Sequence, residues 1–308
     1  MLIALLGPTA SGKTHLAVEL AYTLGGEIIS ADSRQLYRRM DIGTGKDLSE
    51  YVYNGQPIAY HLIDVLEPGE QCNLFEYQQM FYEVYEQLSA RHTPMILCGG
   101  SGMYAEALLR NYELAPVAPD RELREKLEML SDAELTAILA AHQTLHNSTD
   151  TSSRKRLIRA VEIASANPET HKSKRKGIES LIFAIDLPQQ ARWQRIEKRL
   201  KARLEVGLVE EVQSLLDEGI APENLIYYGL EYKFVTLYLL GKIATREELF
   251  RQLNIAIRQF AKRQMTYLRG MERRGLQLHW LNGLETTETL LTKIKETIRQ
   301  YGSRRANA

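Results

Sequence analysis

The sequence predicts an α/β fold, a parallel sheet flanked by helices, with a helical insertion. Three observations carry that reading. The chain opens on an apolar run, "LIALLG", that leads into "GPTASGKT" and then into apolar residues at helical spacing from Lys13 to Leu24, the order strand, glycine loop, helix. Further apolar runs then alternate with helical periodicity, as a parallel sheet covered on both faces requires. Between "APVAPD" and "SLIFAIDL" the text is polar and helical, with no strand-like run, which marks an insertion.

Taken in order, "EIISAD" and "IAYHLIDVL" read as the next strands and "FEYQQMFYEVYEQL" as a helix. "PMILCGG" reads as a buried strand ending on glycines. After the Pro-rich break, "DRELREKLEMLSDAELTAILAAHQ" is helical, and "SLIFAIDL" returns the chain to the sheet. Helical patterns then fill "QARWQRIEKRLKARL", "GLVEEVQSLLDEG" and "TREELFRQLNIAIRQFAKRQMTYLRGMERRG", the second stopped at Gly219 in C-cap style. "LQLHWL" is a late strand, and the tail "GSRRANA" is expected to be disordered. The predicted domains are a core formed by 1–116 and 179–308 and an insertion formed by 117–178. No internal repeat is visible.

Composition excludes several classes. With 308 residues, 44% hydrophobic, the chain can bury a sizeable core. Lys+Arg and Asp+Glu both number 39, so a nucleic-acid signal must come from local clustering. Cys72 and Cys98 lack metal-ligand spacing and are too few for a disulfide framework, as expected in a reduced compartment. "MLIALLG" is too short and lacks the basic flank of a signal peptide or span, so a cytoplasmic protein with no membrane partner is expected.

Gly7, Gly12, Lys13 and Thr14 meet the phosphate-loop spacing in the strand-to-helix context that gives it a mechanism, so the sheet is expected to be P-loop NTPase-like. Backbone amides from Gly7, Pro8's neighbour Thr9, Ala10, Ser11 and Gly12 turn inward, and the helix N-terminus adds its positive end. Lys13 supplies a mobile cation, and the Thr14 hydroxyl is placed to ligate magnesium. A bound di- or triphosphate follows. Asp64 in "HLIDVL" reads either as a Walker-B type carboxylate or as a turn residue. Asp32, just past the second strand, reads either as a general base beside the loop or, with Ser33, as a cap.

"GPTASGKT", "ADSRQLYRRMDIGTGK", "HLIDVLEP", "GGSGMYAEALL", "RKRLIRAVE", "GLVEEVQSLLDEG" and "RQFAKRQMTYLRG", in that order, resemble the tRNA dimethylallyltransferases, which prenylate the adenosine beside the anticodon. The likeness spans nearly the whole chain. It implies that the loop from Gly7 through Pro8 to Thr14 holds the diphosphate of dimethylallyl diphosphate with magnesium, and that the adenine amine attacks the allylic carbon. It makes Asp32, Ser101 and Lys13 the catalytic set. Asp32 would take the amine proton, while Lys13, the loop amides, magnesium and an added arginine take up the departing charge.

The same resemblance places Asp32, Ser33, Arg34 and Gln35 against the target adenosine, with Gln35 able to pair with an adenine edge. Ser101 falls where the family usually has threonine, its hydroxyl between Asp32 and the diphosphate. Arg124, with Arg121 as a neighbouring candidate, matches a substrate-side arginine. Lys155, Arg156, Leu157, Ile158 and Arg159, and the segment holding Tyr228, Gly229 and Lys233, match stretches that contact the tRNA anticodon stem-loop. The latter departs from the family's Gly-Tyr-Lys wording. Independently, "TSSRKRLIRA", "HKSKRKG" and "RQFAKRQMTYLRGMERR" concentrate cations, either as a phosphate-backbone footprint or as solvated helix faces. Arg258 and Lys262 share a helix face, with Arg263 beside them, and are expected to meet tRNA phosphates. The expected enzyme is a monomer; its rivals are an adenylate isopentenyltransferase, a small-molecule kinase and an RNA-binding NTPase.

Overall fold

The structure is a computed structural model that describes residues 1–114, 117, 119–142, 153–166 and 177–306. Strand β1 (Leu2–Leu6) is buried along its whole length. Its alternation divides between two layers: Leu2, Ala4 and Leu6 enter one core, Ile3 and Leu5 the other. That division is what a central strand of a covered parallel sheet requires.

Five more strands join it: β2 (Glu27–Ser30), β5 (Tyr60–His61), β6 (Met95–Gly99), β7 (Ser180–Asp186) and β8 (Leu278–Asn282). The order is β5-β2-β6-β1-β7-β8, and every pairing is parallel. Helices α1 (Lys13–Leu24) and α12 (Thr287–Ala306) cover one face through residues such as Leu16, Leu20, Leu291 and Ile294. The other face packs α2 (Leu74–Ala90), α3 (Gly102–Leu109), α7 (Gln189–Glu205), α8 (Leu208–Asp217), α10 (Leu230–Leu239) and α11 (Arg246–Arg273). Gly219, at φ 91°, follows α8 as expected. A short helix, α9 (Pro222–Tyr227), precedes α10.

The chain separates into two compact units, 1–110 with 177–308, and 111–176. The second starts a few residues earlier than the sequence boundary at 117. It contains α4 (Arg121–Glu128), α5 (Asp132–His142) and α6 (Arg154–Ser165), which enclose their own small core of Leu127, Leu135, Leu139, Leu157, Ile158 and Val161. Ala115, Pro116 and Ala118 of the Pro-rich break lie outside the described residues, as do Thr151, Ser152 and the cations Lys172, Lys174, Arg175 and Lys176.

Two expectations are corrected. "IAYHLIDVL" is a strand only at Tyr60–His61. Leu62 and Asp64 then adopt φ of 59° and 55°, and the amides of Asp64, Val65 and Leu66 turn to the carbonyls of Gln35 and Leu36, so the chain leaves the sheet. The tail expected to be disordered continues α12 as far as Ala306. A helix already anchored by Leu290, Leu291 and Ile294 propagates through Arg and Ala residues at little cost, because nucleation is complete. Asn307 and Ala308 lie outside the described residues. A small hairpin, β3 (Val52–Tyr53) and β4 (Gln56–Pro57), also escaped the sequence reading, although Asn54-Gly55 supplies the two positive φ values its turn needs.

Candidate active site

The phosphate loop leaves β1 and enters α1 through Gly12, whose φ of 86° is left-handed and therefore suits glycine. Two strands away, β2 delivers Asp32. The approach of its turn to the end of β6 also needs glycine, since a Cβ on Gly99 would stand 2.2 Å from the Ala31 carbonyl oxygen. The strand ends thus bring loop and carboxylate to one cleft of about 260 Å³, lined by residues 9–14 and by Asp32, Asp47, Glu50, Tyr51, Cys98, Arg195 and Arg199, among others. This is the edge at which open parallel sheets bind ligands.

Lys13 is sunk in this cleft. Burial lowers its pKa, with the Asp32 carboxylate among the groups opposing the shift, so its charge awaits an anion. Burial likewise pushes the Cys98 thiol up to about 12, which keeps it neutral and inert. Asp32 makes the capping bond and also stands in the cleft. Its Oδ1 accepts from the Arg34 amide at 3.0 Å, a capping bond, while the residue lines the cleft.

Sequence reasoning missed two cations. On α7, Arg199 donates to the Thr9 hydroxyl, and Arg195 donates to the carbonyls of Ser11 at 3.3 Å and Gly283 at 3.2 Å. Burial lowers the Arg199 pKa to about 10. The signal was present: Arg192, Arg195, Arg199 and Arg203 recur at spacings of three and four, a stripe of cations down one helix face.

Residues 35–271 match a family model described as IPP transferase. The chain belongs to the IPP transferase family. It is 55% identical over 276 residues to tRNA dimethylallyltransferase 2 of Phocaeicola vulgatus, which covers 89% of this chain and 90% of that protein. A solved tRNA isopentenylpyrophosphate transferase from Bacillus halodurans superposes with a TM-score of 0.73 at 27% identity, covering 99% of this chain and 98% of that one. A second, from Staphylococcus epidermidis, gives 0.70 at 28% identity, covering 97% and 99%. The family match begins after the phosphate loop and Asp32.

In this IPP transferase several residues expected at the substrate have other partners. The Gln35 amide is engaged at both ends, accepting from Ser30 Oγ at 3.0 Å and donating to the Gly45 carbonyl at 3.1 Å, so it braces the cleft wall. Ser101 Oγ accepts from the Ser33 amide at 3.1 Å, so it supports the Asp32 turn. Asp64 is no metal carboxylate: with Asp41 and the Tyr37 carbonyl it holds Lys46, a lysine with no solvent exposure.

The expected tRNA contacts divide similarly. Tyr228 is buried, its hydroxyl donating to the Glu70 carbonyl and accepting from the Gly69 amide, so it packs. Gly229, at φ 131°, separates α9 from α10, and Lys233 is exposed on α10. Arg34 lies over the Tyr227 ring at 5.2 Å. Leu157 and Ile158 belong to the insertion core. Arg124 forms two hydrogen bonds to Glu162, at 3.0 and 2.8 Å, and Arg159 also donates to that carboxylate; Arg121 pairs with Glu125. Lys155 and Arg156 are exposed. On α11, Arg258 pairs with Glu197 at 2.9 Å and covers the Trp193 ring, so it is not a free phosphate ligand, whereas Lys262 and Arg263 face solvent.

Proposed function

We propose that this IPP transferase carries a dimethylallyl group from dimethylallyl diphosphate to the exocyclic amine of the adenosine beside the anticodon in tRNA, releasing diphosphate. The observation that carries the reading is the shared cleft, in which a phosphate loop with two added arginines faces a carboxylate from two strands away. The N–C bond forms as the allylic C–O bond breaks. Lys13, Arg195, Arg199 and the amides at the start of α1 stabilise the departing charge. Asp32 accepts the amine proton. An adenine amine is a poor nucleophile, so orientation and charge uptake carry more of the rate than base strength.

Magnesium fits the cleft. Thr14 offers a hydroxyl at the start of α1, and the carboxylates of Asp32, Asp47 and Glu50 line the same space, the hard oxygen donors this ion takes. No ready cluster of three or more His, Cys, Asp or Glu side chains occurs among the described residues, so Thr14 would share the ion with diphosphate oxygens and water. When bound, it would neutralise charge on the leaving diphosphate.

The acceptor base lies in a loop, where extrusion into a pocket costs little stacking energy. Exposed Lys262 and Arg263, with Lys155, Arg156 and Lys233 as further candidates, supply cations for the anticodon stem-loop. No helix among the described residues is long and apolar enough to cross a membrane, and both cysteines are free; a cytoplasmic monomer is the accompanying reading. Incubation with labelled dimethylallyl diphosphate and either tRNA or AMP tests the proposal. Label is expected in tRNA alone. Label in AMP, or phosphate transfer from ATP to a small acceptor, would overturn it.

A further inference from the structure

Gln264 lies on α11, far along the chain from the phosphate loop, yet its amide reaches into the site twice. Its Oε1 accepts from the Thr9 amide at 2.8 Å. Its Nε2 donates to the Gly100 carbonyl at 2.9 Å. The fit is close, because a Cβ on Gly100 would come within 2.6 Å of that Nε2. Thr9 is therefore gripped from two helices, its amide by Gln264 and its hydroxyl by Arg199.

The second bond leads to the other half of the reaction. Gly100 precedes Ser101, whose amide donates to the Ala31 carbonyl at 3.1 Å and whose hydroxyl accepts from the Ser33 amide. Those two residues flank Asp32. One side chain thus ties the loop that would cradle the leaving group to the turn that would present the base, although the two come from different strands. We propose that Gln264 is a positioning residue for prenyl transfer: it sets the spacing between the phosphate loop and the Asp32 turn. Gln264 is not among the residues that line the cleft, and the inference rests on the diphosphate reading of the cleft.

Misplacing reacting groups by about an ångström can cost on the order of a hundredfold in rate, and a support that locks both arms should be felt in both binding and turnover. Gln264→Met retains the length and packing of the side chain and deletes both hydrogen bonds. Calorimetry with inorganic diphosphate, beside steady-state kinetics with tRNA, is expected to show affinity weakened by roughly tenfold and kcat lowered by roughly tenfold. Ser101→Ala, which touches only the base turn, should lower kcat and leave diphosphate affinity alone. A merely structural Gln264 would shift the thermal midpoint and move neither constant, and that result overturns the proposal. Amide exchange at Thr9 in the unmodified protein gives a check that needs no variant: slow exchange without ligand is expected, and fast exchange refutes the bond. If the unmodified protein itself fails to bind diphosphate, the reading of the cleft falls, separately from this inference.

Discussion

The cleft and the insertion use cations in opposite ways. In the cleft, Lys13, Arg195 and Arg199 have no ion-pair partner among the described residues, and the two arginines are held by hydroxyl and carbonyl oxygens alone. In the insertion, Arg124 and Arg159 converge on the buried carboxylate of Glu162, and Arg154 pairs with Asp132. Both regions look basic in the sequence. Only the first leaves partly buried cations, Lys13 and Arg199, without an ion-pair partner, and such charge is costly unless an anion arrives. What marks a ligand site is the missing partner, not the number of cations.

The contrast can be broken most directly at Lys13. Lys13→Met is expected to weaken diphosphate binding by about a hundredfold and turnover by more, while raising the thermal midpoint of the ligand-free protein, since a partly buried charge without an ion-pair partner is removed. Calorimetry and thermal melts would settle it, and a fall in midpoint would show that Lys13 is compensated after all. Asp32→Ala comes next. Turnover should drop on the order of a hundredfold, with diphosphate affinity almost unchanged, which separates the base from the cradle in a single kinetic comparison.

The insertion should respond the other way. Glu162→Gln leaves two arginines sharing a neutral amide and should destabilise that unit by about 2 kcal/mol, seen as faster amide exchange over α4–α6 while diphosphate affinity stays at its original value. Burial tends to raise the Glu162 pKa, but hydrogen bonds from Arg124 and Arg159 outweigh it and the net shift is downward. A lowered carboxyl pKa contributes stability that is present above the ordinary carboxylate range and lost as pH falls through the shifted value. The insertion should therefore loosen in acid, and Glu162→Gln should flatten that dependence. The smallest effect belongs to Lys262→Ala on the exposed face of α11: the slope of log tRNA affinity against log salt should fall by roughly one unit. An unaltered slope would class Lys262 with the solvated cations.

Much of the sheet and the first half of the site were legible because each rests on local spacing. "LIALLGPTASGKT" contains its own strand, turn and helix start, and Asp32 follows the next strand directly. The insertion announced itself by the loss of strand-like runs. What stayed hidden depends on contacts between distant segments. Arg195 and Arg199 read as ordinary helix cations until α7 is seen lying along the loop. Gln35 and Ser101 bear the right functional groups, yet the bonds that occupy them come from Gly45, Ser30 and Ser33. Asp64 stayed open between a metal carboxylate and a turn residue because Lys46, eighteen positions earlier, gives no sign in the sequence of being fully buried.

The central position of β1 sets the order in which the protein can be completed during synthesis. Leu2 pairs with Met95 on one edge and with Ser180 on the other, so β1 waits for two neighbours that are translated after it. Its second edge stays open until the whole insertion has been translated. The insertion, with its own core, can fold during that interval as a unit. Arg199 and Gln264 emerge later still, so the phosphate loop acquires its grip only after both have been made. Pairing across such long separations is slow, and until then the open edge of β1 is exposed to pairing with other chains.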